Sequence, residues 1–306
     1  MHQLDKPLAA GLYLVATPIG NLGDITLRAL DVLKRVDRIA CEDTRTTQKL
    51  LNHFQIETPT VSCHQHNERH RAVELVDALK TGGRIALVSD AGMPGISDPG
   101  AWLTAEAIAA GIPIIPIPGA NAALSALIAS GLPTAEFHFI GFLPEKAGAR
   151  RSRLEMLAAE TAKSEAARTL VIYEAPHRIQ ETLADLESVW GPALRVVVAR
   201  ELTKIHEEFL RLTVSEARRE LSARDRMRGE ITLLVEALPQ STEQRAVAAE
   251  AAAQERISAR IIRMQADTGI DEKEALKRLA RELGQSKSEL YRELQRERAR
   301  LKSSSR

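Results

Sequence analysis

Short apolar runs alternate with helical patterns along the first half of the chain. Five runs have the length and composition of β-strands, at residues 12–16, 38–41, 60–64, 84–89 and 112–117. Helical patterns are found at residues 25–36, 46–54 and 68–80. Strands that alternate with helices indicate βαβ units, so the first half is predicted to form a mostly parallel sheet.

The second half begins near Phe137 and contains more strand-like runs than helical ones. Strands are predicted at residues 137–142, 169–173, 195–200, 208–212 and 230–236, with helices at 151–160 and 178–189. Because strands predominate late in this half, we expect a second α/β domain with a mixed sheet.

The pattern changes after Pro239, where Ala, Glu, Arg and Lys dominate and no strand is predicted. Residues 271–274 and 286–289 have the sequence of capping boxes, and Gly284 is suited to end the first of the two helices they open. Two helices joined by a short turn resemble a helix-turn-helix unit. We therefore expect an α/β fold of two consecutive α/β domains, at residues 1–120 and 121–239, and a small all-helical tail at 240–306.

Charge is distributed unevenly between the tail and the rest of the chain. The tail has 15 Lys and Arg against 11 Asp and Glu, whereas the whole chain has a net charge of only +1. Aromatic residues make up 3% of the chain, too few for an extended base-stacking platform. Two interpretations of the tail stay open: it contacts nucleic-acid phosphates, or it is a helical support for a dimer.

One uncharged stretch, residues 107–135, is long enough to span a membrane. Its four prolines and three glycines would leave backbone groups without partners in lipid, so a buried strand, turn and helix are predicted instead. The chain has two cysteines and no predicted leader peptide. These features predict a cytoplasmic, reduced protein with no membrane contact.

Three Gly- and Pro-containing segments follow strands of the first half, at residues 16–21, 89–100 and 118–123. In α/β sheets, loops at the carboxyl ends of strands form the usual ligand crevice. The first segment lacks the G-x-G-x-x-G pattern of dinucleotide sites. The second exposes backbone polar groups between Asp90 and Asp98, and its carboxylates suit a ligand that carries an amine.

Three charged segments follow or precede strands of the second half, at residues 173–178, 199–204 and 228–230. The first two combine a carboxylate with a cation, which is equally typical of a surface ion pair. A further polar group comprises residues 42–45 and 63–68. Within it His64, His66 and Glu68 could be zinc ligands, but no fourth ligand is evident, and a substrate cleft fits these residues better than a metal site.

Together these motifs resemble the tetrapyrrole methylase superfamily, also called class III S-adenosylmethionine methyltransferases. The segments that carry the resemblance are LYLVATPIGNLGDIT, ACEDTR, HQHNE, SDAGMPGISDPG, YEAPHR, ARELTK and RGEIT, in this order. They are most similar to the branch that methylates small-subunit ribosomal RNA. Tetrapyrrole-modifying members have a G-x-G-x-G first loop, which residues 16–21 lack.

The resemblance implies a homodimer that binds S-adenosylmethionine between two α/β domains. It implies methyl transfer to the ribose 2′-hydroxyl of a cytidine in 16S rRNA of the small ribosomal subunit, near the decoding centre. The residues expected to contact the cofactor are Thr17, Pro18, Asp90, Ala91, Gly92, Pro94, Ser97, Asp98, Pro118, Gly119, Ala120, Gly229 and Glu230.

A ribose hydroxyl is a poor nucleophile, so a base or a nearby cation is expected to assist it. The candidates are Asp43, Glu68, Glu174, His177, Glu201 and Lys204. Glu201 with Lys204 is the preferred pair, because a cation beside the hydroxyl lowers its effective pKa. Alternative functions are tetrapyrrole methylation, non-catalytic nucleic-acid binding and, more distantly, NAD-linked oxidation.

Overall fold

The computed structural model describes residues 7–64, 67–239 and 257–304. The chain divides into two compact units, Met1–Pro239 and Gln240–Arg306. The larger unit contains two five-stranded sheets, and the described part of the smaller unit is helical. The predicted α/β class with a helical C-terminal region is confirmed.

The first sheet is entirely parallel, as the alternating pattern predicts. Its strands, in the spatial order β3-β2-β4-β1-β5, are β1 (Gly11–Val15), β2 (Arg38–Cys41), β3 (Thr60–Ser62), β4 (Arg84–Val88) and β5 (Ile114–Ile117). The helices that connect them are α1 (Leu27–Arg35), α2 (Thr44–His53), α3 (Glu68–Lys80) and α4 (Ala101–Ala109).

Both faces of the first sheet are covered by helices. Tyr13 and Val15 of β1 pack with α1 and α2 on one face, while Leu12 packs with α3 and α4 on the other. Successive side chains of a strand point to opposite faces, which is why both sets are buried. Cys41 and Cys63 belong to this core, and burial raises the pKa of the Cys63 thiol to about 11.

The second sheet is mixed, as predicted. In the spatial order β6-β7-β10-β8-β9, its strands are β6 (Phe137–Phe142), β7 (Arg168–Glu174), β8 (Arg195–Arg200), β9 (Glu208–Thr213) and β10 (Ile231–Ala237). Strands β6 and β7 are parallel, and the other neighbours are antiparallel. The helices of this part of the chain are α5 (Ala122–Ser130), α6 (Ala147–Ala162), α7 (Ile179–Trp190) and α8 (Val214–Ser222).

Helix α5 joins the two sheets. Ala126 and Leu127 pack against Val171, Val197 and Leu234 of the second sheet. The opposite face of that sheet is covered by α6, α7 and α8. Since α5 directly follows the loop at the end of β5, it brings the carboxyl edge of the first sheet close to the second.

Within the described ranges, three α-helices were not predicted, namely α4, α8 and Ile257–Thr268 in the smaller unit. The two tail helices that were predicted are present, at Glu272–Glu282 and Lys287–Ser304. Asp271 accepts a hydrogen bond from the backbone N–H of Glu274, and Ser286 and Glu289 form the reciprocal bonds of a capping box. Among the helices of the described ranges, none is both long and apolar enough to cross a membrane.

Candidate active site

The loops after β1, β4 and β5 meet at one edge of the first sheet, because these parallel strands all end there. Thr17 and Gly92 exchange two backbone hydrogen bonds of 2.9 and 3.1 Å, which join the loop after β1 to the loop after β4. Gly119, after β5, lies so near Ala16 that an added Cβ would be 2.9 Å from the Ala16 side chain. The loops therefore form one packed surface.

Strand register in the second sheet brings two distant segments together. Ile231 of β10 pairs with Arg200 of β8, so Glu230 and Glu201 are also opposite each other. The Glu201 N–H donates to the Glu230 carbonyl at 2.9 Å, and the Glu230 N–H donates to Oε1 of Glu201 at 3.0 Å. Gly229 has a φ of 89°, and an added Cβ would collide with the Glu201 side chain.

A first cavity of about 320 Å³ lies between these two edges. The first lobe, meaning the first sheet with its helices, contributes the loops after β1, β4 and β5, and the second lobe, meaning the second sheet with its helices, contributes the ends of β6, β7 and β10. Its lining residues are Ile19, Ala91, Gly92, Met93, Ile96, Ser97, Asp98, Asn121, Ala122, Phe142, Tyr173, Glu174, Ala175, Pro176, Gly229, Glu230, Ile231 and Thr232.

A second cavity of about 330 Å³ adjoins the first and shares Ile19, Ala91 and Glu230 with it. Helix α2 forms one side of this cavity, and Lys204 lies on the side of the second lobe. Because these three residues line both cavities, the cavities lie side by side, and the shared residues form the wall between them.

Carboxylates lie in and beside the first cavity, among them Asp98 and Glu42. Burial, together with the negative charge of Glu42, raises the pKa of Asp98 to about 6. Burial and the charge of Asp90 also raise the pKa of Glu42. Carboxylates that are costly to ionise in the free protein favour a cationic ligand, because its charge stabilises their ionised forms.

A compact ion cluster lies at the wall between the cavities. Lys204 Nζ is 2.7 Å from Oε1 of Glu201 and 3.0 Å from Oε2 of Glu230. The hydrogen bond from Lys204 lowers the pKa of Glu201. Burial opposes the charge on Lys204, but the bonds to both carboxylates outweigh it and raise its pKa. Lys204 is therefore an ammonium ion at neutral pH and Glu201 is a carboxylate.

The backbone of the site is strained in the loop after β4 and in the loop after β8. Among the described residues, four that are not glycine have a positive φ, and three of these belong to the site: Ser97 at 60°, Glu201 at 53° and Thr203 at 65°. Such conformations cost on the order of 1–3 kcal/mol each and tend to occur at functional positions.

The residues expected to contact a cofactor fall into three groups. Lining the first cavity are Ala91, Gly92, Ser97, Asp98, Gly229 and Glu230. Lining the second cavity are Thr17, Pro18 and Asp90, together with the shared Ala91 and Glu230. Lining neither are Pro94, Pro118, Gly119 and Ala120, the last three of which belong to the loop that ends β5.

Among the catalytic candidates, the structure brings Glu201 and Lys204 together at the wall between the cavities. The Glu174 side chain is fully buried, where it accepts a hydrogen bond from Thr182 and pairs with Arg178 at 3.3 Å. Glu174 lines the first cavity, but its carboxylate is held by these two partners.

The remaining candidates line neither cavity. Asp43 caps α2 and pairs with Arg45, whose hydrogen bonds lower the pKa of Asp43 to about 2. Oε1 of Glu68 accepts three backbone N–H groups at the start of α4, at 3.0–3.1 Å. Such bonds satisfy the free donors at a helix N-terminus. His177 is exposed at the turn before α7.

The aromatic residues that line the first cavity, Phe142 and Tyr173, were not identified as site residues from the sequence. Tyr173 lies edge-on to Phe142, with ring centroids 5.8 Å apart, and both line the cavity. Tyr173 belongs to the charged segment at residues 173–178. The sequence around Phe142, however, does not indicate that β6 pairs with β7 and so places Phe142 beside Tyr173.

The zinc alternative involved His66, which lies outside the described residues. In the ranges that the structure describes, no group of three or more His, Cys, Asp and Glu side chains is arranged to hold a metal ion.

Comparisons with known proteins agree with this architecture. The model of the family Tetrapyrrole (Corrin/Porphyrin) Methylases matches residues 11–218. A protein of Halalkalibacterium halodurans named ribosomal RNA small subunit methyltransferase I is 49% identical over 283 residues, 92% of this chain and 93% of that protein. A protein of the same name from Synechocystis sp. is 55% identical over 206 residues, 67% of this chain and 72% of that protein.

Among solved structures, uroporphyrin-III-C-methyltransferase from Thermus thermophilus superposes with a TM-score of 0.50 at 19% identity. The superposition covers 74% of this chain and 94% of that chain, and at this identity it supports the fold alone. The family match covers the first sheet, four of the five strands of the second sheet and most of the loops that line the first cavity, while β10 and residues 229–232 lie beyond it. The chain belongs to the tetrapyrrole methylase family, whose methyl donor is S-adenosylmethionine.

Proposed function

We propose that this protein methylates ribosomal RNA, transferring a methyl group from S-adenosylmethionine to the ribose 2′-hydroxyl of a cytidine in 16S rRNA near the decoding centre. The observation that carries the proposal is the Glu201–Lys204–Glu230 cluster at the wall of the acidic first cavity. The relatives named for ribosomal RNA methylation, which match over most of the chain, support the choice of substrate.

The residues of the first cavity fit the donor. Asp98 supplies negative charge for a cationic sulfonium and amine, and Phe142 with Tyr173 offers an aromatic surface for adenine. Gly92, with a φ of 81°, lets the backbone approach closely, and an added Cβ would be 3.3 Å from Ile19. When bound, S-adenosylmethionine supplies an electrophilic methyl group that the ribose oxygen takes as the methyl–sulfur bond breaks.

Lys204 is the catalytic residue in this proposal. As an ammonium ion it stabilises negative charge that develops on the ribose oxygen, an effect that is large in a site partly shielded from water. Glu201 is a positioning residue, because its carboxylate fixes the ammonium and accepts the Glu230 N–H. The hydroxyl proton passes to the Glu230 carboxylate, whose residue lines both cavities.

The smaller unit contributes affinity rather than chemistry in this proposal. Its excess of Lys and Arg favours contact with RNA phosphates, so deleting residues 240–306 is expected to weaken RNA binding and flatten its dependence on salt. Donor affinity, measured by calorimetry, is expected to change little. An unaltered salt slope would assign the unit a supporting role instead. A homodimer in the cytoplasm, where ribosomes are assembled, belongs to the same proposal.

The decisive experiment offers labelled S-adenosylmethionine with three acceptors: small ribosomal subunits, naked 16S rRNA and uroporphyrinogen III. We expect label in 16S rRNA at a single cytidine, located by its resistance to alkaline cleavage. Comparison of the two RNA acceptors shows whether the assembled subunit is needed. Label in the tetrapyrrole alone would establish the alternative substrate, and label on a base would contradict ribose methylation.

A further inference from the structure

The second cavity has the dimensions and lining of a nucleotide pocket. Its volume of about 330 Å³ falls within the range of small-molecule sites, roughly 300–1,000 Å³. Pro18, Ile19, Leu22 and Leu50 give it an apolar side on which a base or sugar can pack. Polar groups of Thr46 and Asp90 lie around that surface.

Its position also suits an acceptor. The cavity shares Ile19, Ala91 and Glu230 with the first cavity, and Lys204 lines it from the second lobe. A ribose held here lies next to the ammonium ion that the proposed chemistry requires. Asp98 and the aromatic pair, which fit the donor, line only the first cavity.

Lys49 distinguishes this cavity from an ordinary cleft. Its side chain is exposed on α2, and among the described residues it forms no ion pair. The neighbouring cations are engaged: Arg45 pairs with Asp43, and Lys204 with two glutamates. Lys49 is thus the cation of this cavity that is available to a phosphate.

A shallow groove continues the polar surface from Lys49 along α2. Its lining residues are Thr44, Arg45, Gln48, Lys49, Asn52 and Thr60. Lys49 belongs to both the groove and the second cavity. A nucleotide within the cavity would therefore have a polar path beside it for the adjoining strand.

We propose that the second cavity receives the acceptor nucleotide of an RNA strand, with the Lys49 ammonium on its backbone phosphate and the groove on α2 holding the flanking nucleotide. This inference rests on the proposed function and adds to it the residues that hold the acceptor. It assigns the two adjoining cavities to the two reactants, one for the donor and one for the acceptor.

Two variants test the assignment. Thr46→Trp fills the second cavity from an exposed helix position, and Lys49→Ala removes the phosphate contact. Lys34→Ala is the matched control, because Lys34 is an exposed lysine of α1 that lines neither cavity. All three are assayed as full-length protein for donor affinity by calorimetry and for methyl transfer to the RNA acceptor.

For Lys49→Ala we expect an approximately tenfold rise in KM for RNA with kcat unchanged, and a salt slope smaller by about one. For Thr46→Trp we expect methyl transfer to fall about 100-fold, since the acceptor is displaced from its productive position. Donor affinity is expected to stay at the wild-type value in both, and Lys34→Ala to match wild type in every assay.

Wild-type RNA kinetics in both variants would overturn the assignment. Loss of donor affinity in Thr46→Trp would also overturn it, provided that circular dichroism shows a folded protein, because the second cavity would then serve the donor. If Thr46→Trp does not fold, Lys49→Glu replaces it, with a larger KM increase expected than for Lys49→Ala. Failure of the wild-type chain to label RNA would instead remove the proposed function.

Discussion

Two segments of the second lobe look alike in sequence and differ in structure. Glu174 is the last residue of β7 and Glu201 directly follows β8, the two strands that flank β10, and each pairs with a cation three or four residues later. The Glu174 side chain is fully buried, while that of Glu201 is 18% exposed at the edge of the cavities. Both pairs adjoin the cleft, but the Glu174 carboxylate is locked in a buried ion pair, whereas Glu201 pairs with a lysine that itself lines the second cavity.

The partners of each cation explain the difference. Arg178 donates to the backbone carbonyl of Leu143 at 2.8 Å, which ties the start of α7 to the segment after β6. Lys204 instead packs over Gly20 of the first lobe, where an added Cβ would be 2.4 Å from its side chain. A cation that reaches across to the other lobe is placed at the cleft, whereas one that binds its own lobe reinforces the fold.

The first prediction tests whether the Lys204 ammonium ion takes part in methyl transfer. Lys204→Ala is expected to lower the single-turnover rate of methyl transfer about 100-fold, since a charge-stabilising group is lost. In Glu201→Gln, the pKa of Lys204 is expected to fall, so the rate should decline at a lower alkaline pH than in wild type. His206→Ala, an exposed position in the same loop, is the control. Wild-type rates in both variants with intact donor binding would contradict the assignment.

The second prediction concerns the buried ion pair of Glu174 with Arg178: Glu174→Gln is expected to lower the stability of the protein. Arg178 would keep its charge without a carboxylate partner, at a cost of about 3 kcal/mol in the free energy of unfolding. Urea denaturation measures this loss in the free energy of unfolding. The matched control is Glu181→Gln in α7, where the carboxylate that pairs with Arg150 is 65% exposed and the expected cost is below about 1 kcal/mol. A stable Glu174→Gln protein that has lost only methyl transfer would reverse the comparison.

Much of the fold was predictable because it depends on local patterns. All ten strands follow from apolar runs, and the capping boxes at Asp271 and Ser286 locate the tail helices. Helix α4 was not predicted: it lies in an apolar region, and its N-terminus is capped by Glu68, more than 30 residues away. A cap supplied from a distant residue leaves no signal in the sequence near the helix.

The site was predictable only in part, for a related reason. The loops at strand ends were identifiable because parallel topology brings them to one edge. The contact of Glu230 with Glu201 depends on the register of β10 and β8, and the aromatic wall depends on the pairing of β6 with β7. Such pairings join segments far apart in the chain. The sequence favoured Glu201 with Lys204 on the chemistry of the pair alone, because it did not show which partners hold Glu174 and Glu68.

A third carboxylate, Asp98, extends the comparison because, in the part of the chain that the structure describes, it forms no ion pair of the kind that Arg178 and Lys204 make. Its pKa of about 6 lies above the usual value, so it is ionised above that pH and protonated below it. A cationic donor binds the ionised form. Its Kd is therefore expected to rise about tenfold from pH 7 to pH 5.

Calorimetry across this range checks the expectation, with two variants beside the wild type. Asp98→Asn should weaken binding at pH 7 and flatten the profile. Glu42→Gln removes the nearby charge that helps raise the pKa of Asp98, so the midpoint should shift to lower pH. A wild-type profile in Asp98→Asn would show that another group carries the dependence.

The smallest expected effect concerns backbone strain. The loop that contains Glu201 has residues with a positive φ, whereas residues 173–178 have none. Thr203 has a φ of 65°, and its buried hydroxyl has no hydrogen-bond partner among the described residues. Thr203→Gly is expected to raise the free energy of unfolding by about 1 kcal/mol, because glycine adopts this conformation without strain. The same change is expected to slow methyl transfer about threefold, since the loop then holds Lys204 less firmly.

Gln55→Gly is the matched control for that change. Gln55 has a φ of 55°, but it lies after α2 and lines neither cavity. The same relief of strain there should stabilise the protein, measured by urea denaturation, and leave the rate unchanged. If both variants are stabilised and equally active, strain in the Glu201 loop contributes nothing to catalysis. If only Thr203→Gly is slowed, the strain belongs to the arrangement that places Lys204 at the wall between the cavities.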